Sequence, residues 1–142
     1  MKTVIFDFNG TLYFDQDLNI EAWKVIYEEI IGHSDDFIEQ IEQILATKDD
    51  TNINRFFNKV GKQVDQATLD AYAHKKEELY QTLAKQKNRN ELAPGAKELL
   101  DYLKDNNYDI YMATASIKYN VDFYLDYCGM SKWIPLDHVA YD

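Results

Sequence analysis

Two short stretches of this chain carry residue types that can do chemistry. The first reads Val4-Ile5-Phe6-Asp7-Phe8-Asn9-Gly10-Thr11-Leu12. Its apolar, β-forming start predicts a buried strand. The strand runs out at Asp7 into a turn built around Asn9-Gly10. A carboxylate at the carboxyl end of a strand lies where open α/β sheets gather their ligands. It can attack as a nucleophile or offer hard oxygens to a cation. The second stretch, Tyr111-Met112-Ala113-Thr114-Ala115-Ser116, is another apolar strand, and it runs into a turn of small hydroxyl residues. The Thr114 hydroxyl and the backbone N–H groups of Ala115 and Ser116 can donate to an anion, and Lys118 adds positive charge near a helix N-terminus. Taken alone, Thr114 and Ser116 also read as an ordinary helix cap; in company with Asp7 the anion-binding reading is preferred.

The elements that must position these residues follow from apolar spacing. Ile20, Trp23, Ile26, Tyr27, Ile30 and Ile31 fall at helical period and end at Gly32. Ser34 reads as the N-cap of a second helix, with Phe37, Ile38, Ile41, Ile44 and Leu45 on its apolar stripe. A third, shorter helix carries Ile53, Phe56, Phe57 and Val60 up to Gly61. A fourth covers about 66–87, with Leu69, Tyr72, Leu79 and Leu83 on one face. Pro94-Gly95 marks a boundary. Behind it Ala96, Leu99, Leu100 and Leu103 form an amphipathic helix stopped by Asn106-Asn107. A strand at 108–113, a helix with Val121, Tyr124, Leu125 and Cys128 inward, and a third strand at 137–141 complete the pattern. Strand–helix–strand alternation predicts an α/β fold with a Rossmann-like parallel sheet. The segment after the first strand is too long for a connection and is expected to be a separate helical unit. The boundaries are 1–15 and 90–142 for the α/β core and 16–89 for the helical insert.

Composition bounds the partners. The net charge is -10. Nucleic acid and anionic membrane surfaces demand clustered Lys and Arg, so neither is expected. No stretch approaches the ~18 apolar residues of a membrane span, and three apolar residues before Asp7 are too few for a signal peptide. With Cys128 as the lone cysteine, no intrachain disulfide forms, which suits a reducing, cytoplasmic setting. His33, His74 and His138 share no metal-ligand spacing and read as surface or core residues. Arg55 and Lys24 read as solvated helix positions that could also reach a substrate.

The run Asp7-Phe8-Asn9-Gly10-Thr11 resembles the nucleophile motif of the haloacid dehalogenase superfamily. The strand ending at Thr114 resembles the superfamily's second motif, and Ala93-Pro94-Gly95 resembles the return from cap to core. Glu21-Ala22-Trp23-Lys24 sits where β-phosphoglucomutase-like members begin their first cap helix. The resemblance implies a phosphatase working through an aspartyl-phosphate on a small phosphorylated metabolite. Asp7 is then the nucleophile, with Gly10, Thr11, Thr114, Ala115, Ser116 and Lys118 about the phosphoryl group. Mg²⁺ is then held by Asp7 and the backbone carbonyl of Asn9, and a helical cap closes over the site. A β-phosphoglucomutase-like mutase and a catalytically weak member that binds a phosphorylated ligand or a protein are the alternatives.

Three departures from the family pattern matter. Asn9 stands where most phosphate-handling members carry an Asp that protonates the leaving group and activates water. An amide does neither, so turnover is expected to fall by the ~10²–10⁴-fold that general acid–base catalysis supplies. Asn9-Gly10 is also a deamidation-prone pair, and deamidation would restore an acid. Asn19 replaces a His that mutase-like members carry four residues before Trp23, which favours phosphatase over mutase. Finally, the family's Lys motif and acidic metal motif lie beyond the third strand, where this sequence stops. The core is therefore expected to be incomplete at its C-terminus, leaving the first strand an open edge. The remainder of a longer chain, or self-association, would cover that edge.

Overall fold

The computed structural model describes residues 1–33 and 35–142; Ser34, expected as a helix N-cap, lies outside the described residues. The element order is β1(Thr3–Phe6), α1(Gln16–Ile31), α2(Asp36–Ala46), α3(Asp49–Lys59), α4(Gln66–Gln86), α5(Ala96–Asp105), β2(Asp109–Ala113), α6(Lys118–Asp126) and β3(Val139–Ala140). Short 3-10 turns at Met130–Lys132 and Leu136–His138 precede β3. The chain divides into two compact units, Met1–Gln16 with Lys85–Asp142, and Asp17–Ala84.

The first unit is built on a parallel sheet of order β1-β2-β3. Val4 pairs with Ile110 and Phe6 with Met112, so Asp7 and Ala113 leave neighbouring strands at the same end. Met112 pairs with Val139 on the other side. Ile110, Met112, Leu100, Leu103, Val121 and Tyr124 are buried around the sheet together with Phe8, Leu12 and Tyr13. Phe8 stacks on Tyr124 with ring centroids 4.3 Å apart and on Tyr13 at 5.5 Å. Gly95 caps α5 at φ +83, a left-handed conformation in which a Cβ is strained, which is why glycine suits the turn that opens this helix. Trp133 donates its indole N–H to Asp101 on α5 at 2.8 Å. That bond, with Lys132 nearby, holds the Asp101 carboxyl below the usual carboxylate range.

The sheet differs from expectation at its third strand. The sequence predicts 137–141, but only Val139–Ala140 is extended, because the backbone of Leu136–His138 winds into a 3-10 turn. β1 is an edge strand, and Ile5 is 67% exposed.

The second unit is helical. Trp23, Ile26, Tyr27, Phe37, Ile44, Ile53, Phe56, Phe57 and Leu69 form its core. Phe56 meets the rings of Trp23 and Tyr27 edge-on at 5.9 and 5.0 Å. The buried Asn52 gives its amide to the Ile44 and Thr47 carbonyls at 2.8 and 3.1 Å, satisfying acceptors at the end of α2. Lys76 is buried as well. Its ammonium donates to Asn19 and Glu77, each at 2.9 Å, and lies over the Trp23 ring. Ile38 and Val60, expected on apolar stripes, are exposed. Ile38 lies one position round from the buried Phe37, and Val60 follows the last residue of α3, so neither faces the core. Leu99 on α5 is likewise exposed, while Leu100 takes the inward position. Among the described residues no helix is long and apolar enough to cross a membrane.

Candidate active site

The turn after β1 is held by its own backbone. The Phe8 carbonyl accepts the N–H groups of Thr11, Leu12 and Tyr13, and the Gly10 N–H donates to the Tyr13 carbonyl at 2.8 Å. Gly10 sits at φ +74, which a Cβ would strain. With Phe8 fully buried beneath the turn, its neighbours Asp7 and Asn9 are directed elsewhere: Asp7 is exposed and Asn9 partly buried. Asp7 accepts the Phe8 N–H at 2.8 Å through one oxygen and the Thr11 hydroxyl at 3.4 Å through the other. None of the turn's backbone bonds uses the Asn9 carbonyl.

The second wall comes from the turn after β2. Thr114 is fixed by its N–H, which donates to the Ala140 carbonyl at 2.9 Å. The Ser116 N–H donates to the Thr114 hydroxyl oxygen at 3.1 Å. Both hydroxyls, Thr114 and Ser116, then donate to Asn9 Oδ1 at 3.2 and 3.0 Å. The Asn9 amide donates in turn to Asp15 Oδ2 at 2.6 Å and to Tyr124 Oη at 2.9 Å. Ser116 and Tyr124 hydroxyls are 3.0 Å apart and close the ring of contacts. Asp15 is only 2% exposed.

The residues expected from sequence therefore divide. Asn9, Thr114 and Ser116 are in direct contact, with Thr11 on Asp7. Ala115 is exposed at the tip of the same turn. Lys118, on the first turn of α6, gives its ammonium to Asp122 one helical turn on at 2.9 Å, which raises its pKa and commits its charge locally. Asp15 and Tyr124 belong to the site and were not among the expected residues. Asp15, six residues beyond Asn9, looks like a solvated residue ahead of a helix, and its burial is the missing signal; Tyr124 looks like an ordinary core position, and only the contact between residues as far apart as 9 and 124 reveals it. Cys128 is buried, and burial pushes its thiol up to about 12, so it is no nucleophile at neutral pH.

An exposed aspartate at the end of the first strand, beside a hydroxyl turn at the end of a parallel neighbour, is the arrangement in which open α/β proteins present groups to a ligand. Haloacid dehalogenase-like hydrolases match residues 1–142, and the chain belongs to that family. It is 32% identical over 117 residues to β-phosphoglucomutase of Bacillus subtilis (strain 168), covering 82% of this chain and 51% of that protein. A haloacid dehalogenase hydrolase of family IA, variant 3, from Entamoeba histolytica HM-1:IMSS is similar over 100% of this chain and 61% of its own, with TM-score 0.84 and 29% identity. The haloacid dehalogenase hydrolase YfnB from Bacillus subtilis, solved bound to magnesium, shares the fold. Its TM-score is 0.70 at 18% identity, over 99% of this chain and 64% of that one. The chain thus spans about half the length of the curated relative and about six tenths of the solved ones.

Proposed function

We propose that the whole protein is a Mg²⁺-dependent phosphatase of small phosphomonoesters, with Asp7 as nucleophile and residues 16–89 acting as a substrate-selecting cap over the α/β core of 1–15 and 90–142. The observation that carries this reading is Asp7 itself: exposed, and at the same sheet end as the Thr114 and Ser116 hydroxyls. One carboxylate oxygen of Asp7 attacks phosphorus, the alcohol oxygen departs, and water then cleaves the acyl phosphate to restore Asp7. Gly10, Thr11 and the 114–116 turn line the phosphoryl group. The donor set fits a hard cation: the Asp7 carboxylate and the uncommitted Asn9 carbonyl would hold Mg²⁺, leaving its other positions to water and phosphate oxygens. Among the described residues no group of three or more His, Cys, Asp or Glu could hold a metal. When bound, the ion neutralises phosphoryl charge so that two anions can meet.

The Asn9 amide has no acidic proton to transfer, and its side chain is fully engaged. The leaving group must therefore take its proton from water, which favours acyl phosphates, whose leaving groups need none. Asn19 accepts from Lys76 instead of offering a titratable ring, which supports a phosphatase over the mutase activity that the named relative has. The same engagement of Asn9 supports a second reading, a slow member that mainly holds a phosphorylated ligand. Hydrolysis of acetyl phosphate and of alkyl phosphates by the full-length protein with Mg²⁺ tests both. Faster acetyl phosphate turnover that is abolished by Asp7→Asn and by chelation is expected. Undiminished activity in Asp7→Asn overturns the assignment, and saturable binding without turnover selects the second reading.

A further inference from the structure

Asn9-Gly10 is the one Asn-Gly pair in the chain. In a flexible peptide such a pair destroys itself. The Gly10 backbone nitrogen attacks Asn9 Cγ, its proton leaves with the side-chain nitrogen as ammonia, and a succinimide ring closes. Water then opens the ring to aspartate or to isoaspartate, in which the main chain runs through the former side chain. Glycine speeds the reaction because no Cβ obstructs the nitrogen and its backbone turns freely.

Every movement this reaction needs is blocked in the fold. The attacking nitrogen is committed to the Tyr13 carbonyl at 2.8 Å, and Gly10 is held at φ +74. The Asn9 amide uses both N–H groups, on Asp15 and Tyr124, and its oxygen takes two hydroxyls, from Thr114 and Ser116. Four bonds exhaust what a carboxamide can make in this geometry. Rotating Cγ toward Gly10 breaks these partly buried bonds together, above the fully buried Phe8.

We infer that Asn9 is a fold-gated modification site: the four-bond clasp suppresses deamidation in the native chain, and opening of the β1 turn releases it. The change is one-way. An acid at position 9 has no N–H to give the buried carboxylate of Asp15, and isoaspartate also lengthens the turn that Gly10 and Tyr13 close. Chains converted while unfolded therefore refold to a less stable form.

The full chain, incubated in mildly alkaline buffer natively and in urea, tests this by mass spectrometry of the tryptic peptide 3–24. That peptide also contains Asn19, followed by the β-branched Ile20, as an internal reference. Native conversion at Asn9 is expected to be suppressed by about 10²-fold or more relative to urea, in line with the rarity of the opened state. Ser116→Ala and Tyr124→Phe should each raise the native rate several-fold and leave the urea rate unchanged. Refolded, converted protein should melt below the parent. Native conversion at the urea rate overturns the inference, as does a native rate that neither variant changes. Should a variant fail to fold, exchange of the Gly10 N–H in the parent decides: protection tracking the deamidation rate supports the gate, and rapid exchange alongside slow deamidation refutes it.

Discussion

Asn9 gives hydrogen bonds to Asp15 and Tyr124 and takes them from Thr114 and Ser116, so the residue that looks like a catalytic deficiency is also the joint that ties the β1 turn to three other segments of the site. Asp15 shows what an amide offers at this position: an N–H for a buried carboxylate, which a second carboxylate could not give. Sequence spacing places Asp7, Thr114 and Ser116 at strand ends, where the structure has them, because strand ends are legible from apolar runs. It does not show that Asp15, six residues from Asn9, is buried, nor place Tyr124 beside Asn9 from 115 positions away, nor show that Asp122 claims Lys118. A second residue-scale effect lies in the helical unit. Asp49 opens α3, and burial, with a hydrogen-bonded Glu77 working against the attraction of Lys76, raises its carboxyl to about 7. The folded state thus holds a proton that the unfolded chain releases near pH ~4. Its stabilising contribution is complete below that pH and is lost as pH rises through about 7. Thermal melts should show stability declining over this window by on the order of 1–2 kcal/mol, less than the full conversion of the shift because Asp49 keeps partial contact with water. In Asp49→Asn that slope should flatten.

Helices were the most readable elements. Their apolar stripes lie at 3.6-residue period and their cores are aromatic, as with Trp23, Tyr27 and Phe56. Errors fell at the margins of the stripes. Ile38 and Leu99 are apolar but lie one position away from a buried neighbour, and period alone cannot say how wide a face the packing partner covers. The third strand is shorter than its sequence suggests because Asp137 and His138, beside the apolar Val139–Ala140, belong to a 3-10 turn, and so short a segment has no period to separate the two. β1 is the element with the clearest physical consequence. It is an edge strand with an unpaired row of backbone groups on its free side and with Ile5 exposed on its face. Concentration-dependent self-association of the 142-residue chain is expected. In Ile5→Lys, light scattering should fall while the melting curve shifts by less than ~0.5 kcal/mol, since an exposed side chain contributes little to packing. Unchanged association in that variant would move the sticky surface elsewhere.

At the scale of the whole molecule, the division into Met1–Gln16 with Lys85–Asp142 and Asp17–Ala84 separates a sheet-based unit from a helical one, each with its own buried residues. The helical unit is continuous in sequence, and its core closes without any residue from outside 17–84. Residues 17–84 expressed alone should therefore give a helical circular dichroism spectrum and a cooperative melt; a broad, non-cooperative melt would show that the unit depends on the rest of the chain. The sheet-based unit has no such independence in sequence, since β1 and β2 must meet across the entire insert. That long closure makes it the slower part to assemble.

The two tryptophans are divided between the units. Trp23 packs edge-on to Phe56 beneath the Lys76 ammonium, and Trp133 ties its indole to Asp101. Each half thereby holds one tryptophan in its own setting, Trp23 under an ammonium against an aromatic core and Trp133 under the Lys132 ammonium with its indole N–H on a carboxylate. Replacing either by phenylalanine leaves a single-colour reporter of the opposite half. The order in which the halves melt, or respond to a phosphorylated ligand, becomes readable from emission alone, without attaching a dye.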